Sequence, residues 1–155
     1  MNRLCATFLF LFLVPSPTFA KNRHCMLRVH AQANPADTEV FSRSVRAQLS
    51  GKAVAIERTA RITEGDVQAF YPYPSGNGQF GALFQLDEHG RIVLDALSIE
   101  RKGGYLFVFI NGRAITELQI DKRVSDGQLY IPSGLSAADI ELMKKDWRLI
   151  GKRKR

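Results

Sequence analysis

A chain of 155 residues, 45% of them hydrophobic and 24% charged, has apolar sequence for one buried core but too little length for several domains, and it is too apolar to be disordered. Its two cysteines exclude a disulfide-stapled scaffold. The formal net charge of +7 is concentrated in "KKDWRLIGKRKR" at 144–155, while basic and acidic residues balance over 21–143, which argues against a nucleic-acid-binding face on the body.

The chain opens "MNRLCATFLFLFLVPSPTFAKNRHC". Arg3 gives a positive start, Leu4 to Val14 an apolar run, and Pro15 to Ala20 a small, turn-rich end. This is the layout of a secretory signal peptide over residues 1–20, with cleavage after Ala20. The apolar run is well short of the ~20 residues that a spanning helix needs. No later segment is long and apolar enough, so the expectation is an exported, periplasmic or secreted protein of one domain over 21–150, followed by a basic tail. In that compartment Cys25 stands alone once Cys5 has left, either as a thiol open to pairing with another chain or as an inert one near the terminus. Arg23 and His24 stand where small residues would precede a lipid-modified cysteine.

"MLRVHAQA" places Leu27, Val29 and Ala31 on one face of a strand, and "AVAIERTAR" does the same with Val54 and Ile56. "TEVFSRSVRAQLSG" fits both periods. Phe41, Val45 and Leu49 are four apart, and with Ala47 they also alternate, but Ser-Arg-Ser is a poor helix interior and favours strand. "ITEGDVQAF" reads as a short strand, Pro72 to Gly78 as a surface loop, and Phe80 to Leu86 as another strand. A helix follows, with Asp87 as N-cap, Ile92, Ala96 and Leu97 on one face, a frayed start at Gly90 and a stop at Gly103–Gly104.

Asn111-Gly112 in "YLFVFINGRAITELQI" is a type I′ hairpin signal, since both turn positions need positive φ. Tyr105 to Ile110 is apolar on both faces and reads as a central strand on which the helices pack. "SDGQLYIPSG" supplies a turn and a short strand. In "GLSAADIELMKKDW" Ser136 and Asp139 form a capping box, Leu135 and Ile140 a hydrophobic staple, and Ile140, Met143 and Trp147 a buried stripe. The fold class that results is α+β, a mainly antiparallel sheet with two helices packed on one face.

From about residue 62 to 147 this order of features resembles the head subdomain in the large periplasmic region of SecD, a subunit of the bacterial protein-export machinery. "ITEGDVQAF", "GALFQLDEHGRIVLDAL", "LFVFINGRAITELQI", "DGQLYIPSG" and "LSAADIELMKK" stand in the family's order, with Gly112-Arg113 at the hairpin tip. The resemblance implies a head-like fold and a role in contacting unfolded or exported polypeptides or an envelope protein. The family's proton-coupled motor belongs to membrane helices and does not carry over. Residues 26–61 fall outside the matched stretch.

"DEH" at 87–89 suggests metal or acid–base chemistry, but adjacent helical residues point apart, and an acidic helix N-terminus accounts for the triplet. Nucleophile-elbow, phosphate-loop and zinc spacings are absent. The expectation is therefore a non-enzymatic interaction module without cofactor or metal. The alternative, a small exported enzyme or inhibitor with a dispersed site, calls for a pocket gathering His30 or His89 with carboxylates. The candidate partner contacts are Phe70, Tyr71 and Tyr73 in "AFYPYPSGNG", because tyrosine offers an apolar body and a polar edge. Lys152, Arg153, Lys154 and Arg155 are candidates for anionic lipid or an acidic partner.

Overall fold

The computed structural model describes residues 25–34 and 36–151. The leader expected over 1–20, His24 and the basic tail at Lys152, Arg153, Lys154 and Arg155 lie outside the described residues.

Among the described residues ten strands and two α-helices follow in order: β1 Leu27–Ala31, β2 Ser42–Arg46, β3 Ala53–Glu57, β4 Ile62–Thr63, β5 Val67–Pro74, β6 Phe80–Leu86, α1 Glu88–Glu100, β7 Tyr105–Ile110, β8 Arg113–Gln119, β9 Gln128–Leu135, α2 Ala137–Asp146 and β10 Arg148–Leu149. They form one sheet in the order β4-β1-β7-β8, a second in the order β10-β5-β6-β9, and a separate β2-β3 ribbon. The ladders are antiparallel except for β10 on β5. The fold is thus α+β, as the sequence implies, with the expected antiparallel sheet divided in two.

The first sheet is centred on β1 and β7. Leu27, Val29 and Ala31 alternate into the core and are fully buried. Within residues 26–61, β1 is therefore integral to the fold, since it lies between β4 and β7. The hairpin after β7 turns through Asn111 at φ 49° and Gly112 at φ 80°, the two positive angles of a type I′ turn. Leu106, Val108 and Ile110 join the main core, in which Leu94, Leu97, Ile140 and Met143 of the helices are also buried. The opposite face of β7 differs from expectation. Phe107 and Phe109 are covered by the ribbon, through Val45, Ala47, Val54 and Ile56, and not by a helix. The ambiguous segment is strand over Ser42–Arg46, but Phe41 and Leu49 fall outside the pairing and are exposed.

Helix α1 starts as expected, with the Asp87 carboxylate accepting from the Gly90 N–H at 2.9 Å. Its buried face is not the expected one: Gly90, Leu94 and Leu97 point inward, whereas Ile92 and Ala96 are exposed. Gly90 sets this rotation. A Cβ there would lie 2.9 Å from the Asp66 Cβ and 3.0 Å from the Leu86 Cβ, so the missing side chain lets the first turn dock closely. It is a packed position, not a frayed start.

Strand β5 runs through Pro72 to Pro74, into the expected loop. β10 pairs with β5 only at Ala69 and Phe70, which leaves the rest of that side as an edge, where proline is tolerated. The capping box of α2 is present, with Ser136 Oγ accepting from the Asp139 N–H and Asp139 Oδ2 accepting from the Ser136 N–H at 2.8 Å. The helix ends at Asp146, one residue before Trp147. The Trp147 ring is still core, edge-on to Phe70 at 6.1 Å and to Phe84 at 5.8 Å.

Candidate functional site

The second sheet has two unlike faces because side chains alternate along each strand. Phe70, Phe84 and Leu129 stand in one cross-strand row and are buried. The next row, Tyr71, Leu83 and Tyr130, points the other way, with Tyr71 53% and Tyr130 56% exposed. Tyr73 pairs with Gly81, and its ring occupies the space where a side chain would stand: a Cβ on Gly81 would lie 2.4 Å from the ring. The Tyr73 ring stacks on Tyr130 at 5.5 Å and 10°, and its hydroxyl donates to the Ile131 carbonyl at 2.6 Å. Burial, with the Tyr130 hydroxyl adding to it, raises the Tyr73 pKa, so the phenol stays neutral.

The three candidate aromatics therefore separate. Tyr71 is exposed, Tyr73 is half-buried and held by its hydroxyl, and Phe70 lies in the core against Phe84 and Trp147. Phe70 is thus removed from the contact set. Tyr130 takes its place in the aromatic row. The alternation in "QLYIPSG", with Leu129 and Ile131 inward, marks Tyr130 as outward, but only the strand pairing brings it beside residues nearly sixty positions away.

A cleft of about 670 Å³ opens where the two sheets meet, bordered by Glu117 to Gln119 of β8 and Gln128 to Tyr130 of β9. Leu94, Leu106 and Leu129 line its apolar part. Neither it nor a smaller hollow of about 400 Å³ around Glu57, Arg61 and Arg101 has a histidine in its lining.

The histidines are engaged elsewhere. His89 is an exposed side chain whose Nδ1 lies 2.7 Å from Asp66 Oδ1. Burial pushes the Asp66 carboxyl up, but hydrogen bonds from Thr63 and His89 outweigh it and hold the group below its ordinary value. The Asp66 hydrogen bond raises the His89 pKa. Asp66, Asp87 and His89 bring ligand atoms within 4.8 Å of one another, so "DEH" does converge in part, on an aspartate from the preceding turn, while Glu88 turns to Arg91. Asp66 already accepts from the Thr63 N–H and Asp87 from the Gly90 N–H, so this donor set starts the helix.

His30 is buried, with Nδ1 2.9 Å from the Glu57 carbonyl and its ring edge-on to Phe109. Burial lowers its pKa, assisted by the charges of Arg43 and Arg28. Cys25 is buried as well, and its backbone N–H donates to Asp146 at 2.8 Å. Burial, with Asp139, Asp146 and Glu64 nearby, pushes its thiol up to about 12, so it is a structural residue and not a loose terminal thiol.

Two mainly antiparallel sheets with α1 and α2 each burying one face in the shared core are like the periplasmic head of SecD in fold. Two solved structures carry the likeness. A crystal structure of SecDF in a super-membrane-facing form matches with TM-score 0.55 and 16% identity over 83% of this chain and 20% of that one. A structure of SecDF, described as a membrane component that enhances protein export, matches with TM-score 0.55 and 14% identity over 92% of this chain and 78% of that one. The chain spans about a fifth of the first SecDF chain, and both alignments take in more of it than residues 62–147. No protein-family model and no curated protein matches the chain.

Proposed function

We propose that this protein is an exported, non-enzymatic interaction module that contacts polypeptides, or an envelope component, during protein export. The observation that carries the reading is the outer face of the second sheet, where Tyr71, Leu83 and Tyr130 form an aromatic-apolar row on a fold like that of SecDF, a component that enhances protein export. Tyrosines suit sequence-tolerant contact, because the ring supplies area at little entropic cost and the hydroxyl hydrogen-bonds to peptide groups. Among the described residues no helix is long and apolar enough to cross a membrane. On this reading residues 1–20 direct export and are removed, residues 21–150 form the module, and Lys152, Arg153, Lys154 and Arg155 hold it near anionic lipid or an acidic partner.

A photo-crosslinking amino acid at Tyr71, with Lys52 on the ribbon as control position, tests the reading in living cells with and without residues 152–155. Adducts to many exported proteins or to export-machinery subunits at Tyr71, not at Lys52, and fewer of them without the tail, are the expected result. A single small-molecule adduct, or none, would sink the reading.

A further inference from the structure

The cleft between the sheets has a feature that the tyrosine face lacks. β8 and β9 are edge strands of different sheets, and among the described residues no backbone hydrogen bond joins them. At one end they are jammed together, since a Cβ on Gly134 would lie 3.0 Å from the Ile115 carbonyl oxygen. At the other end they part around the cleft, which touches residues 117, 118 and 119 of one strand and 128, 129 and 130 of the other. Consecutive residues point to opposite faces of a sheet. A cavity that meets three in a row on each side therefore runs along the strand edges, where the Gln128 N–H is held by Asp126 and no backbone bond crosses from one strand to the other. Another extended backbone can pair with such an edge.

Charge narrows the occupant further. Glu117, Asp121 and Asp126 line the cleft against the single cation Lys122. Glu117 accepts from the Leu49 N–H and Asp126 from the Gln128 N–H, and among the described residues neither carboxylate forms a salt bridge.

We infer that the seam between β8 and β9 takes up an extended polypeptide segment in which apolar and basic side chains alternate, added as a strand along the β9 edge. This deepens the function proposed above and rests on it. Apolar side chains of the guest go to Leu94, Leu106 and Leu129, and basic ones to the acidic rim.

The test uses the full chain and three nine-residue probe peptides: alternating leucine and lysine, the same peptide N-methylated at alternate backbone positions, and the same peptide with glutamate for lysine. Binding is read by fluorescence anisotropy and by amide hydrogen exchange. The expected result is binding of the first peptide with slowed exchange over 128–131. The second and third peptides should each bind at least tenfold more weakly, because strand pairing needs the N–H groups and the rim repels acid. Equal binding of either altered peptide, no binding, or protection elsewhere would overturn the inference. So would seam amides already protected in a dimer without peptide. Crosslinking at Tyr71 reads the broader function separately. Adducts there with an unprotected seam refute strand addition alone, whereas a protected seam without adducts refutes the export role and leaves a peptide site.

Discussion

At Gly90 a general rule about helices is inverted by one close contact. Glycine in a helix interior costs up to about 1 kcal/mol relative to alanine, so Gly90→Ala would stabilise an isolated helix. Here the new methyl meets Asp66 and Leu86 at about van der Waals overlap, and overpacking of this kind costs about 1–3 kcal/mol. Urea denaturation should therefore show Gly90→Ala to be less stable than the parent; an unchanged or higher midpoint would mean that the Asp66 turn yields freely. One residue away, His89→Ala removes the pair with Asp66. The folded pKa of His89 is raised, so the pair contributes fully below the ordinary histidine value of about 6.5 and loses its contribution as pH rises through the raised value. The lowered Asp66 pKa keeps the carboxylate charged until pH falls through that value. The variant should be less stable than the parent between those limits and equal to it in alkaline solution, as denaturation midpoints across pH would show. A deficit independent of pH would mean that His89 acts by packing. His30, whose pKa is lowered by burial, acts in the opposite sense, losing stability as pH falls, but it is common to both proteins and cancels.

Elements were legible wherever their signal is local. Ser136 and Asp139 mark the start of α2 because a capping box is closed within four residues, and Asn111-Gly112 marks its hairpin because the turn needs positive φ there and nowhere else. Leu27, Val29 and Ala31 give β1 by simple alternation. The departures arise where a contact outside the element decides. The inward face of α1 passes through Gly90, which has no side chain to register as apolar, so the periodicity of Ile92, Ala96 and Leu97 selected the wrong rotation. β5 continues past Pro72 because the side facing away from β6 is unpaired there, a property of its neighbours and not of its own residues. Tyr130 escaped notice as a candidate for the same reason: its partners Leu83 and Tyr71 reach it only through two ladders.

Across the whole molecule the core is unevenly shared. The main cluster draws buried residues from both sheets and both helices, whereas the ribbon is held by Ala47 and Ile56 against Phe107, with Arg43 over Phe109 at 5.3 Å. Beyond this patch the ribbon is tied to the β1 segment by the Ala33 N–H to Ala55 carbonyl bond, so it is expected to open without the rest of the fold. Hydrogen exchange should find amides of β2 and β3 exchanging by a sub-global opening, well before those of β1, β6 and β7, with a smaller dependence on denaturant. Equal protection throughout would show that the ribbon unfolds only with the core.

The sequence by itself determined the fold class, most strand positions, both helix starts and the order of features shared with the SecD head, because these follow from periods and caps that span a few residues. Tertiary structure alone decided that the strands divide into two sheets and a ribbon, that Phe70 is core while Tyr71 is not, and that β8 and β9 end side by side with no backbone bond between them. Those outcomes depend on which strands pair and in what register, and pairing is chosen by burial summed over the whole chain.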